Sequence, residues 1–141
     1  MQNTKLLIAT KVTLLAALLT ACQTTPAIPE YDGAMLYQGY CASCHGPTGR
    51  GDGPIAPSLN VGMQDLRTIA ARNGGSFPEI LIETIIDGTR ERPAHGTPGM
   101  PVWGWAFYTA EAKMGETEPE KFADARIRAL TDYLESIQID L

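Results

Sequence analysis

A chain of 141 residues with 44% apolar side chains has material for one compact domain, and its apolar content excludes wholesale disorder. Eleven Lys and Arg against sixteen Asp and Glu give a net charge of −5, which excludes a nucleic-acid backbone as main partner, because binding one needs a basic footprint. Three cysteines are an odd number, so at least one has a role other than pairing with another. From the N-terminus, Lys5 and Lys11 precede or border an apolar run from Val12 to Leu19, and residues 1–21 contain no acid. A positive start, a short apolar core and a small final residue have the form of an export signal. The ten residues from Val12 to Ala21 fall short of the roughly 20 that a bilayer span needs.

This segment ends Leu19-Thr20-Ala21-Cys22, which resembles the lipobox of bacterial lipoproteins. The resemblance implies cleavage before Cys22 and acylation of its sulfur and new amino group; ordinary cleavage would leave a free thiol there instead. Several acyl chains on one residue supply the multiple signals that stable anchoring takes. Without residues 1–21, nine basic and sixteen acidic side chains remain, a net charge of −7. Gln23–Asp32 contains Pro26 and Pro29 and has no periodicity. It reads as a tether, on the order of 30 Å long if extended as polyproline II. The expected organisation is a signal at 1–21, a lipidated Cys with its tether at 22–32, and one domain at 33–141, placed on the periplasmic side of a bacterial membrane.

A first helix is predicted over Gly33–Cys44 with Asp32 as N-cap, and it runs into Cys41-Ala42-Ser43-Cys44-His45. In such a motif two thiols add across the vinyl groups of a haem and the adjacent His supplies a nitrogen to the iron. Cysteines three apart lie on one side of a helix end, so both reach one side of a flat macrocycle. A thiol redox pair would follow a strand in a βαβ pattern, which is missing here. A structural zinc site needs four ligands, and only His95 is left as the fourth.

Gly46–Gly62 is rich in Gly and Pro and is predicted as loop. Gln64–Arg72 and Pro78–Asp87 are predicted as short helices, stopped by Gly74-Gly75 and by Gly88. For the second axial position, Met35 is expected in the core and Met114 on the surface. Met100 lies 55 residues past His45 in the Gly- and Pro-flanked turn Gly99–Gly104, far enough to wrap a haem and return on its other face. A thioether there favours ferrous iron relative to a second imidazole. Met63, His95 and an open position are the alternatives. Thr117-Glu118-Pro119-Glu120 reads as a capping box opening a last helix, along which Ala123, Ile127, Leu130, Leu134 and Ile137 form one apolar stripe. The class is therefore all-α, with four to five short helices and Gly/Pro-rich loops wrapped around one covalent haem c.

Together these residues resemble the class I, monohaem c-type cytochromes over about residues 33–139. Gly33-x-x-x-Tyr37-x-x-x-Cys41 and Leu130-x-x-Tyr133-Leu134 are similar to the family's crossing N- and C-terminal helices, with Gly33 permitting close approach. Pro57-x-Leu59 is similar to the segment whose Pro carbonyl accepts the proximal His N–H and whose Leu packs on the haem. Gly99–Gly104 resembles the Met-Pro-x-Trp-Gly form of the ligand loop, and Trp103 is expected to pack on haem or core. The stretch Thr109–Thr117 has no counterpart and is expected to be a surface insertion.

What the resemblance implies is an electron carrier rather than an enzyme, with His45 and Met100 as axial ligands and Cys41 and Cys44 as thioethers. Its partners would be membrane redox complexes or a dehydrogenase or oxidase, with the membrane reached through the Cys22 lipid. Other readings are a cytochrome subunit of a larger oxidoreductase, and a haem enzyme or gas sensor with a dissociable distal ligand. Arg50, Arg90 and Arg92 fall in loops expected around the haem, whereas Glu111, Glu116, Glu118, Glu120 and Asp124 form an acidic group elsewhere.

Overall fold

The computed structural model describes residues 27–59, 62–89 and 100–140. The signal and Cys22, the start of the tether, His95, Arg90 and Arg92 lie outside these. The described residues form helices and contain no strand.

Helix α1 is Gly33–Tyr40, and the Asp32 carboxylate caps it by accepting the Met35 N–H at 3.0 Å. The backbone opens at Cys41 and a single turn, α2, follows over Ala42–His45, so the predicted continuous helix is two pieces. Met35 is 73% exposed and not in the core; Tyr37 is the buried side chain of α1. Two residues along a helix is a turn of about 200°, which puts Met35 on the face opposite Tyr37.

The Gly-rich stretch is a loop carrying one 3-10 turn, Ala56–Ser58, and it is laced to the Cys-Ala-Ser-Cys-His motif by Gly51 N–H to His45 O and Ile55 N–H to Ser43 O, at 2.8 and 3.1 Å. The predicted helix over Gln64–Arg72 is a 3-10 turn, Leu66–Thr68, followed by α3, Ile69–Arg72. Helix α4, Glu79–Asp87, ends on Gly88 in the left-handed conformation.

Helix α5, Trp103–Met114, lies where the sequence suggested a turn and a surface insertion. Glu111, inside the supposed insertion, is 2% exposed and forms an ion pair with Arg126. It is therefore part of the helix interface rather than of a solvated acidic group. Helix α6, Pro119–Ser136, starts with Pro119 in its first turn, but the capping box is not made. Glu118 rather than Thr117 occupies the cap position, one residue late for the box, and makes no side-chain bond to the backbone; its carboxylate takes Lys121 Nζ at 2.5 Å.

The core forms where α1, α4 and α5 pack on α6. Tyr37, Phe107, Ile82 and Ile86 meet Ala123, Ile127, Leu130 and Leu134, four positions of the predicted stripe; Ile137, the fifth, is half-buried. The α1–α6 crossing is close: a Cβ at Gly33 would stand 1.9 Å from Ala129 O. Here Tyr37 and Tyr133 pack with ring centroids 5.0 Å apart. Beyond α6, the Gln138 amide accepts from Ala70 N–H and donates to Leu66 O, each at 2.9 Å, tying the chain end to the 66–72 segment.

Candidate haem site

The helices enclose a cavity of about 410 Å³, within the range of small-molecule and cofactor pockets. Cys41 and His45 enter it from the end of α1 and from α2, and Met100 from the residue at which the described chain resumes before α5. Its apolar wall is Leu81, Ile82, Ile85 and Ile86 of α4, faced by Leu130 and Leu134 of α6. The mouth is polar, with exposed Gln64, Arg72 and Asn73. Such a lining suits a flat apolar macrocycle with polar groups at one edge.

Local structure positions the ligating side chains. The Tyr37 hydroxyl donates to Gly46 O at 2.8 Å, clamping the residue after His45 to α1 from within the core. Burial pushes this phenol well above its ordinary pKa, so it stays a proton donor. Residues 87–88 and 102–104 also come together: a Cβ at Gly104 would fall 1.8 Å from Asp87 Oδ1, and Val102 packs on Gly88. The end of α4 and the start of α5 thus abut beside Met100.

Burial, with the Cys44 thiol adding to it, pushes the Cys41 thiol up to about 12. A thiolate for metal binding or disulfide exchange is disfavoured there, whereas a thioether, which has no proton to lose, carries no such cost. Neither Cys41 nor Cys44 forms a disulfide. No cluster of three or more His, Cys, Asp or Glu suited to a metal ion occurs among the described residues. The residues present fit a covalently attached haem.

The predicted site residues are distributed as follows. Cys41, His45, Met63 and Met100 line the cavity, and His45 Nδ1 is buried. Cys44 is half-buried beside them in α2. Pro57 lies in the 3-10 turn and Leu59 caps it; neither is among the residues that line the cavity. Trp103 stacks on Phe107 at 5.8 Å and meets the edge of Tyr40 at 5.3 Å, on the core side of α5. Arg50 is exposed.

Sequence reasoning missed the α4 wall and the Tyr37 clamp. The apolar run Ile80-Leu81-Ile82 and Ile85-Ile86 carried the signal for the first; the second depends on a contact nine residues away that no local pattern encodes.

No curated protein and no solved structure matches this chain. The Cytochrome c family model does, over residues 31–138. Members of that family bind haem c covalently, typically one in a domain of this size, and act in electron transfer outside the cytoplasm. The chain belongs to the cytochrome c family, as a haem-binding electron carrier.

Proposed function

We propose that this protein is a class I, monohaem cytochrome, lipid-anchored through Cys22 outside the cytoplasm, that shuttles single electrons between membrane redox complexes or a dehydrogenase and an oxidase. The observation that carries the reading is one cavity lined by both His45 and Met100, with Cys41 at its wall. Cys41 and Cys44 would hold the haem covalently, His45 and Met100 would ligate its iron, and the α4 wall would exclude water. Bound in this way, haem supplies reversible one-electron chemistry with no position left for a substrate. The chain's part is to hold both ligands rigidly, so that little rearranges between oxidation states, and to set the potential through a soft thioether and an apolar surround. For the anchor, support comes from the Cys22 sequence context.

Because Met63 also lines the cavity, the ligand test needs two variants. The holoprotein is expected to show low-spin spectra in both oxidation states, with a sulfur-to-iron charge-transfer band and no rapid carbon monoxide binding. Met100→Ala should abolish that band and admit carbon monoxide, and Met63→Ala should do neither. Loss of the band in Met63→Ala alone would reassign the ligand, and ready carbon monoxide binding by the unaltered protein would make it a sensor or enzyme. Mass analysis of the N-terminal peptide tests the lipid.

A further inference from the structure

The outer face of α5 is used neither by the haem cavity nor by the core. Pro101 and Val102, leading into the helix, and Trp105, Tyr108, Thr109 and Ala112 along it fall on one stripe at helical spacing, and none carries a charge. Trp105 is 66% exposed, Val102 51% and Tyr108 38%. The Trp105 and Tyr108 rings stack with centroids 5.6 Å apart and planes 19° from parallel, making one continuous aromatic surface in water. Single exposed apolar residues are ordinary, whereas a stacked pair within an uncharged face marks a contact. The adjacent helix is the control: exposed positions of α6 are Glu120, Lys121, Asp124, Arg128, Asp132 and Glu135, with Ser136 at its last position.

The composition of the face and the course of the chain identify what covers it. Trp and Tyr, with apolar rings and polar tips, are the side chains of the membrane–water interface, and exposed Lys113 at the margin has the reach to place its amine among headgroups. The chain leaves the domain at the α5–α6 seam, on the inner side of α5. The Tyr31 ring lies 4.9 Å from the Arg126 guanidinium, which also sits 5.5 Å from the Phe107 ring of α5. From Tyr31 back to Cys22 is nine residues, which span at most about 30 Å, and the outer face of α5 is about one helix diameter, 10 Å, from that exit.

We propose that the outer face of α5 rests in the interfacial layer of the membrane that holds the Cys22 acyl chains, so that anchor and helix together fix the orientation of the haem domain on the bilayer. The inference rests on the lipid-anchor reading and adds a second, non-covalent attachment to it. With the mature chain at −7, anionic headgroups repel the domain, so the aromatic rings rather than charge supply the attraction.

The test uses the acylated holoprotein in phosphatidylcholine vesicles, with hydroxyl-radical footprinting read by mass spectrometry and the haem's linear dichroism read in oriented bilayers. Oxidation of Trp105 and Tyr108 is expected to fall to the level of half-buried Trp103, while Ile80, exposed on α4, is unchanged. The haem is expected to be dichroic, and Trp105→Ser with Tyr108→Ser, or the milder Trp105→Gln alone, to lose that order while remaining acylated and vesicle-bound. Oxidation at the solution rate in acylated, bound protein would overturn the inference and leave the anchor standing. An N-terminal peptide without acyl mass, in protein that does not stay with vesicles, would overturn both. Equal shielding in vesicle-free solution would assign the face to a second copy of the chain and overturn the membrane contact.

Discussion

Helices α5 and α6 lie side by side along one buried seam, yet their sequences are organised differently. Helix α6 alternates apolar and charged residues at helical period, burying Phe122, Ala123, Ile127, Leu130 and Leu134 and presenting charge outward. Helix α5 has no charged residue from Trp103 to Ala110, and its first charge, Glu111, points inward. Water dictates the outer face of α6; it does not dictate that of α5. The contrast teaches that a helix is legible from sequence when only one of its faces is apolar, and that an apolar second face asks for a contact of its own.

The comparison can be broken first at the core. Phe107→Ala on α5 and Leu130→Ala on α6 each remove a fully buried side chain, and each is expected to cost about 4 kcal/mol in denaturant unfolding of the holoprotein. A Phe107 effect near zero would mean that α5 is not integral to the fold.

The seam's ion pair comes next. Glu111→Gln leaves the Arg126 guanidinium buried without its counter-charge and is expected to cost about 3 kcal/mol. Glu111→Leu combined with Arg126→Met should recover most of that loss, since both desolvation costs disappear together. Failure of the double variant to recover would show that the pair specifies the α5–α6 packing rather than merely neutralising itself.

Smaller effects sharpen the contrast at the glycine contacts. A methyl at Gly33 would stand 1.9 Å from backbone, Ala129 O of α6, while one at Gly104 of α5 meets the tip of the Asp87 side chain, which can swing aside, and backbone only at 2.9 Å, at Asp87 O. Gly33→Ala is expected to cost about 2 kcal/mol and Gly104→Ala about 1 kcal/mol by thermal unfolding. Equal costs would mean that the α4–α5 contact is as unyielding as the α1–α6 crossing.

The smallest effect concerns the segment tied to the end of α6. Hydrogen bonding from Arg67 holds the Asp65 carboxyl below its ordinary pKa. Because the native value lies below the unfolded one, the pair's stabilisation is whole above about pH 3.9 and is lost as pH falls through the lower native value. Asp65→Asn should therefore lower the melting temperature slightly near neutrality and flatten the acid limb of its pH profile, the two proteins converging as the pH falls below about 4.

The legible parts of this protein are those whose cause is local. The all-α class followed from helical periodicity and Gly or Pro stops, and the covalent haem from two Cys and a His within five residues. The Asp32 cap, the Gly88 stop and the apolar stripe of α6 needed only neighbouring residues. What was misread had a distant cause. Met35 looked like core because it is apolar, but Tyr37 set which face of α1 turned inward. Glu111 looked solvated because Glu usually is, until α6 brought Arg126 against it.

By itself, then, the sequence determined the haem chemistry and the existence of most helices, because covalent attachment motifs and amphipathic period are properties of a few adjacent residues. Only the tertiary structure decided that an uncharged stretch is helix α5, that α4 walls the cavity, and that His45 and Met100 open into one space. Each of those depends on which surfaces of separate segments meet, and burial is shared between segments that no short stretch of sequence contains together.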